Sequence, residues 1–218
     1  MDNANRWGSS KRLIAELLVV FLGVYGAFWV DNFRDQQDRD ERTRKVILAL
    51  QQDLRDYVEV SGGFRDHIEE GLKNWNASRA RGETPAPFVF RVFGAEVPPL
   101  TTWEAVRQTE LTVLIDTDLL YELAFYYNEI SGMGARYVRY ATFTESDVLP
   151  QVKVGNSSFY AEGGERLLPR FEAHMDRLDE YLRFTTESIT WADCLAKRLE
   201  NIDRTTEVCR TDVGVTPL

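Results

Sequence analysis

The sequence has very few of the residues on which metal and thiol chemistry depend. Its 218 residues include only two histidines, His67 and His174, and two cysteines, Cys194 and Cys209. A structural zinc site usually takes four Cys or His ligands, so these side chains could complete one such site at most. The inventory predicts a protein without a metal site and without a bound cofactor.

The two histidines also lack the neighbours that a dinuclear metal centre needs. In metal-binding helical bundles a Glu stands three residues before the His, so that both side chains face the metal. Here Phe64 precedes His67 and Phe171 precedes His174 at that spacing. Acidic residues surround both histidines, which leaves an incidental zinc site as an alternative. We favour solvated surface histidines.

Catalytic and nucleotide-binding motifs are absent as well. The sequence contains no GxSxG, HExxH, P-loop or GxGxxG pattern, and each of those motifs carries a specific chemistry. A catalytic triad built on either of two histidines would leave no mark in a sequence. We therefore expect no catalytic residue and no enzymatic activity.

Positive charge is in short supply. Lys and Arg number 26 against 35 Asp and Glu, which gives a net charge of −9 at neutral pH. Proteins that bind nucleic acid owe most of their affinity to basic surfaces, so the composition argues against a nucleic-acid partner. The partner classes left are proteins, lipids and small molecules.

One long apolar stretch contrasts with the charged remainder. The eighteen residues from Leu13 to Val30 contain one charge, Glu16, and no proline. As a helix this stretch would extend about 27 Å, against about 30 Å for the hydrocarbon core of a bilayer. Aromatic residues flank it, as they do at headgroup level: Trp7, Tyr25, Trp29 and Phe33. The sequence predicts a transmembrane helix with the lipid bilayer as its partner.

Two other interpretations of this stretch stay open. A buried helix of a soluble protein is one, although such helices usually have a polar face. A cleaved signal peptide is the other, because Lys11 and Arg12 precede the apolar run and residues 24–26 would pass as a mediocre cleavage site. We expect a retained span.

The charges beside the span do not agree on its orientation. Three basic residues precede it and five follow it, but the later five alternate with acidic residues. They also lead into a domain of about 170 residues, and such long segments largely escape the positive-inside rule. Lys11 and Arg12 adjoin one end of the span and Asp31 adjoins the other. We predict a bacterial inner-membrane protein with its amino terminus in the cytoplasm and its main domain in the periplasm.

Small residues within the span indicate where another helix could pack. Gly23 and Ala27 are four residues apart, and Gly26 lies beside them. Such patterns let two helices approach closely in a membrane. Glu16 is an acid within the apolar run and therefore a functional candidate, but its i,i+4 spacing from Arg12 favours a local pair or snorkelling. The candidate helix-packing residues are Gly23, Gly26 and Ala27.

Two later segments carry a heptad repeat, in which residues of the core recur at alternating steps of three and four. The first seam consists of Ile47, Leu50, Leu54, Tyr57, Ser61, Phe64, Ile68, Gly71 and Trp75. The second seam consists of Phe171, Met175, Leu178, Leu182, Thr185, Ile189, Ala192, Ala196 and Leu199. We predict that the two seams pack on each other as antiparallel arms of a helical bundle. A homodimeric coiled coil is the alternative.

Glycines are expected to interrupt the helices. Gly62 and Gly63 fall inside the first seam, where each costs about 1 kcal/mol relative to Ala, and they predict a kink or break. Gly132 and Gly134 predict a turn before an aromatic helix that ends ahead of Pro150. The fold class that follows is mainly all-α.

The sequence also suggests a division of the chain. Residues 82–100 contain prolines and alternating apolar residues, which predicts an extended insert or short strand. Short helices are expected from Thr101 and from Asp116 or Thr117. The predicted segments are a cytoplasmic amino-terminal segment (1–12), the transmembrane helix (13–30), a charged stalk helix (31–46), the helical-bundle domain with its insert (47–204) and a tail (205–218).

The cysteines have two interpretations. Cys194 and Cys209 are fifteen residues apart, and an unbroken helix would separate them by about 22 Å, too far to bond. A chain that turns back near residues 201–204 would bring them together, and an oxidising periplasm would then favour a disulfide. Two independent thiols are the alternative.

Several short motifs occur together in a way that resembles a widespread family of uncharacterised single-span bacterial membrane proteins. The motifs are the span exit Val30-Asp31-Asn32-Phe33-Arg34-Asp35, the stretch LALQQDL, Thr102-Trp103-Glu104-Ala105-Val106, Leu114-Ile115-Asp116 and Tyr126-Tyr127-Asn128. The resemblance covers residues 13 to 130. In the family the span typically exits through Asn-Asn-Trp, where this chain has Asp31-Asn32-Phe33. The resemblance implies a membrane anchor and no catalytic residue or ligand.

These expectations combine into one functional hypothesis. The chain is expected to be a noncatalytic accessory or structural subunit of a larger membrane-protein assembly, such as a respiratory or photosynthetic complex. The alternative is a membrane-anchored periplasmic bundle that senses a ligand, or acts as a scaffold, and signals through a partner. The partners expected are other membrane-protein subunits, and a second copy of the chain is an alternative.

Overall fold

The computed structural model describes residues 4–90, 101–108, 115–164, 166–201 and 209, and for residues 4–16 it describes the backbone only. The main helices are α1 (Ala4–Ala80), α2 (Thr101–Arg107), α3 (Thr117–Phe143), α4 (Leu149–Val152) and α5 (Pro169–Glu200). The described residues form no strand, and Tyr160 and Leu167 make a single isolated bridge. The predicted all-α class is confirmed.

The chain divides into two compact units, Met1–Val46 and Ile47–Leu218. In the first unit, the described side chains of α1 include a continuous set of large apolar groups at solvent. Leu17 is 72% exposed and Trp29 is 69% exposed. In the described part of the chain one helix is long and apolar enough to cross a membrane. The apolar stretch of this helix is entirely unburied.

The second unit is a bundle of α3, α5 and the part of α1 from Ile47 onward. Tyr57 of α1 contacts both partners: its hydroxyl lies 2.8 Å from Ser188 Oγ on α5, and its ring lies 5.9 Å from Tyr126 on α3. Arg55 pairs with Glu200 at the carboxyl end of α5. Within the described residues α3 and α5 share the most extensive helix–helix contact. The predicted helical bundle is therefore present, with α3 as a third main helix.

The two predicted seams face this bundle core. In α1 the first seam contributes four buried residues, Leu50, Leu54, Ser61 and Ile68. In α5 every residue of the second seam is buried except Leu182, which is half-buried. Heptad spacing places these side chains on one face of each helix. Ile68 of α1 shares a core cluster with Phe171 and Leu178 of α5.

Neither predicted glycine break occurs. Helix α1 continues through Gly62 and Gly63, and α3 continues through Gly132 and Gly134. A helical glycine costs about 1 kcal/mol, whereas burying one large apolar side chain contributes about 1.5–3 kcal/mol. Buried residues on both sides of the glycines, such as Leu54 and Ile68 in α1 and Tyr127 and Tyr140 in α3, therefore hold each helix together. The aromatic helix ends at Phe143, ahead of Pro150 as predicted, and Pro150 lies in the first turn of α4.

The insert is extended where it is described. Residues 83–90 carry no helix or strand, and residues 91–100 of the predicted insert lie outside the described residues. Phe90 is buried, and its N–H donates to the Tyr140 hydroxyl at 3.0 Å. Phe88 lies directly on Gly71 of α1, where an added Cβ would come within 2.1 Å of the phenyl ring. Gly71 thus creates the space in which the insert packs against the bundle.

Replacing Gly71 with alanine is expected to lower the free energy of unfolding by about 1–3 kcal/mol, because the new methyl group overlaps Phe88 and overpacks the site. Gly62→Ala is the matched control on the same helix, since nothing lies within 4 Å of a Cβ added there. That control should gain up to about 1 kcal/mol from helix propensity. Thermal melting of the two variants would compare them, and equal stabilisation by both would refute the close approach of Phe88.

Candidate functional site

A groove of about 540 Å³ lies between α3 and α5. Its walls come from helix positions three and four residues apart, which share a face: Arg136, Arg139 and Phe143 on α3, and Arg177, Tyr181 and Phe184 on α5. Tyr140 and Glu180 also line it. The lining thus combines aromatic rings with three arginines.

The groove carries an excess of positive charge. Arg136 already has two partners within the fold. It donates to Glu180 at 3.2 Å, and its guanidinium lies 4.5 Å from the centre of the Phe184 ring. Arg177 lies 5.8 Å from the centre of the Phe143 ring. Among the described residues neither Arg139 nor Arg177 has a carboxylate within ion-pairing distance. Two of the three arginines that line the groove therefore lack a carboxylate partner among the described residues, in a chain whose net charge is −9.

A π-helical segment, Thr144–Val148, follows α3 and contributes Ser146 to the groove lining. Hydroxyl side chains bond back to the preceding turn: Thr144 Oγ1 donates to Tyr140 O at 2.9 Å, and Ser146 Oγ donates to Thr142 O at 2.9 Å. Such back-bonding loosens and bends a helix. Ser146 is the residue of this segment that lines the groove. Single π turns inside helices occur frequently at functional sites.

His174 lies fully buried behind the groove wall. Its ring stacks on Tyr140 with centroids 4.6 Å apart and an angle of 8°, and Phe143 covers it at 5.3 Å. Within the described residues neither ring nitrogen has a hydrogen-bond partner. Burial, followed by the positive charge of Arg177, lowers the pKa of His174 to about 4. The expectation of a solvated surface histidine is wrong for His174, whereas His67 is exposed, against Phe88 and Phe90.

The buried His174 should make stability depend on pH. Its pKa is about 4 in the fold against an ordinary value of 6.5, so between these values the unfolded chain binds more protons than the folded chain. The contribution of neutral His174 is complete above pH 6.5 and is lost as the pH falls toward 4, by about 3 kcal/mol at most. His174→Leu should flatten this dependence.

The exposed His67 supplies the matched control. Denaturant unfolding of the wild type, His174→Leu and His67→Gln at pH 7 and pH 5 would measure the difference. The wild type and His67→Gln should lose similar stability on acidification, and His174→Leu should lose less. An identical loss in all three proteins would contradict the role of His174.

A second polar cluster joins α3, α5 and the tail. Arg198 Nη1 donates to Glu122 Oε1 at 2.9 Å, and both side chains are buried. The backbone N–H of Cys209 donates to the other carboxylate oxygen at 3.2 Å. Asp116 accepts from Arg198 at 3.4 Å. Sequence reasoning missed this cluster, although both Glu122 and Arg198 stand between apolar residues on the inward faces of their helices.

The tail is also attached covalently. A disulfide joins Cys194 to Cys209, with their Cα atoms 5.6 Å apart. Helix α5 ends at Glu200 and Cys209 lies beside Cys194 rather than one helical extension away from it, as the disulfide interpretation required. The disulfide holds the Cys209 amide beside Glu122. The polar cluster and the disulfide thus attach Cys209 to both α3 and α5.

A third polar contact joins α1, α2 and α3. The Tyr127 hydroxyl donates to Asp53 Oδ2 at 2.6 Å, and Thr102 of α2 donates to the same carboxylate at 3.3 Å. Burial, together with the hydrogen bond to Asp53, raises the pKa of Tyr127. Trp103 stacks on Tyr127 with centroids 5.0 Å apart. This contact fixes α2 on the bundle.

The predicted helix-packing residues Gly23, Gly26 and Ala27 lie in the first unit. A Cβ added at Gly23 or Gly26 would meet nothing within 4 Å, and Ala27 is exposed. Among the described residues no group of three His, Cys, Asp or Glu side chains is arranged to hold a metal ion. Comparison of the chain with protein-family models, curated proteins and solved structures found no match.

Proposed function

We propose that this chain is a noncatalytic single-span membrane protein that serves as an accessory subunit of a larger membrane-protein assembly, for example a respiratory or photosynthetic one. The observation that carries the proposal is the exposure of the apolar segment of α1. Large apolar side chains from Leu17 to Phe33 are exposed on all sides, and their transfer out of water is strongly favourable. A bilayer and neighbouring helices provide the environment that this segment requires.

The small residues of the span supply a contact surface for those neighbours. Gly23 and Ala27 share one helix face, and Gly26 lies next to it. Lipid tails are as apolar as leucine, so membrane helices associate through close packing, and small residues permit the closest approach. The exposed Gly23 and Gly26 support a helix partner at this face.

The proposal includes an orientation. We place the amino terminus in the cytoplasm and residues 47–218 in the periplasm of a bacterial inner membrane. The Cys194–Cys209 disulfide supports this placement, because disulfides persist in oxidising compartments and are rare in the cytosol. In intact cells both cysteines should resist an alkylating reagent until the protein is reduced, and immediate labelling would contradict a periplasmic domain.

Purification in mild detergent tests the accessory role directly. Mass spectrometry of the purified wild type should identify membrane-protein subunits at constant stoichiometry, and carbonate extraction should leave the chain in the membrane pellet. Gly23→Leu/Gly26→Leu should lose those subunits while staying in the pellet, since bulk at the contact face blocks packing. Phe21→Leu/Phe28→Leu is the control, since it makes apolar changes at exposed positions on the opposite face of the helix. A wild type that purifies alone would sink the proposal.

A second candidate function is favoured by the groove between α3 and α5. The bundle would then sense a ligand in the periplasm and signal through a partner protein. Uncompensated Arg139 and Arg177 beside aromatic walls support this candidate, because ligand sites combine apolar surface with a few well-placed polar groups.

A further inference from the structure

We propose that the groove between α3 and α5 binds a small organic anion, in which a carboxylate or phosphate group is attached to a flat apolar body. This inference names the ligand class of the second candidate function and rests on it. The accessory role stands or falls separately, with the subunits that accompany the purified chain.

The apolar body of the ligand follows from the groove walls. Phe143 and Tyr181 contribute aromatic surface from opposite helices, and Phe184 extends it. The volume of about 540 Å³ falls in the range of about 300–1,000 Å³ that small-molecule sites occupy. Aromatic rings stack most favourably with other flat groups in offset or edge-to-face arrangements.

The anionic group follows from the arginines. Arg139 lines the groove from α3 and Arg177 lines it from α5. A guanidinium is planar and donates paired hydrogen bonds to a carboxylate or phosphate. Arg136 is already held by Glu180 and Phe184, which leaves Arg139 and Arg177 to bind the ligand.

The size of the ligand follows from the charge of the whole chain. With a net charge of −9, the protein repels large polyanions such as nucleic acid and strongly anionic membrane surfaces. A small anion is affected mainly by charges within about 8–10 Å at physiological salt. Of the charged groups that line the groove, Glu180 is paired with Arg136, which leaves the two positive charges of Arg139 and Arg177. The groove therefore suits a small anion better than an acidic macromolecule.

Calorimetric titration of the full chain in neutral detergent tests the proposal with three related probes. 2-Naphthoate and 2-naphthyl phosphate carry the two anionic groups, and 2-naphthol is their uncharged counterpart at neutral pH. At least one anion should bind saturably and at least about tenfold more tightly than 2-naphthol, because charge-assisted hydrogen bonds are the stronger ones. The tighter anion identifies the group that the site prefers. Equal affinity for 2-naphthol, or no saturable binding of either anion, would overturn the proposal.

Variants of the arginines provide the second part of the test. Arg139→Gln/Arg177→Gln should weaken the preferred probe by at least about tenfold. Arg81→Gln/Arg166→Gln is the charge-matched control, since both side chains are exposed and lie outside the groove, and it should bind as the wild type does. Inorganic phosphate alone should compete at least about tenfold less well than the preferred probe, because it lacks the apolar body. Equal competition by phosphate, or unchanged binding by a folded double variant, would refute the assignment. If the double variant does not fold, the comparison of naphthol with the anions on the wild type still decides.

Discussion

Replacing Arg198 with methionine is expected to lower the free energy of unfolding by about 3–5 kcal/mol. The change removes the cation that lies 2.9 Å from Glu122 and leaves a carboxylate that is 7% exposed without its counter-charge. A buried charge that loses its partner costs far more than the pair contributes, because the desolvation of the remaining ion is no longer offset. Denaturant unfolding of the full chain in detergent measures the loss.

A rescue variant separates the ion pair from simple packing. Arg198→Met/Glu122→Gln should recover most of the stability, because the neutral amide needs no counter-charge and can still accept from the Cys209 N–H. Lys197→Met is the control one residue away, since Lys197 is exposed and pairs with Asp193 on the surface. Its effect should stay within about 0.5 kcal/mol. If Arg198→Met costs no more than Lys197→Met, the buried pair does not exist as described.

Leu54→Ala is expected to destabilise the bundle by about 2–5 kcal/mol, through the lost burial of the side chain and the cavity left behind. Leu54 is fully buried in the first seam. Leu48 is the matched control on the same helix, because it is 53% exposed and faces away from the seam. Leu48→Ala should change stability by less than about 0.5 kcal/mol. Similar losses in the two variants would contradict the placement of the seam.

Melting of the wild type and Leu54→Ala at several protein concentrations distinguishes the bundle from the coiled-coil alternative. In the structure the first seam faces α3 and α5 of its own chain, so the melting temperature should not depend on protein concentration. A homodimeric coiled coil would dissociate as it unfolds and would melt at lower temperature on dilution. Such a shift, accompanied by the full effect of Leu54→Ala, would assign the seam to a second copy of the chain.

The helical class, the apolar segment and the inward face of both long arms could be predicted from the amino-acid sequence alone. These features are periodic or continuous, and they depend on spacing along a single helix. Leu50, Leu54 and Ile68 repeat at heptad spacing, so the face that they share follows from the geometry of one helix. The start of α3 at Thr117 is local in the same sense, since it depends on residues adjacent in the chain.

Features that depend on contacts between two or more helices became visible only in the three-dimensional fold. Gly132 stays helical because the bundle core outweighs a local cost of about 1 kcal/mol. His174 is buried because Tyr140 and Phe143, some thirty residues earlier in the sequence, cover it. Glu122 meets Arg198 across 76 residues, and the arginine groove exists only where α3 and α5 lie side by side. Propensity and periodicity act within a few residues along the chain, whereas burial and ionic pairing depend on which surfaces the complete fold brings together.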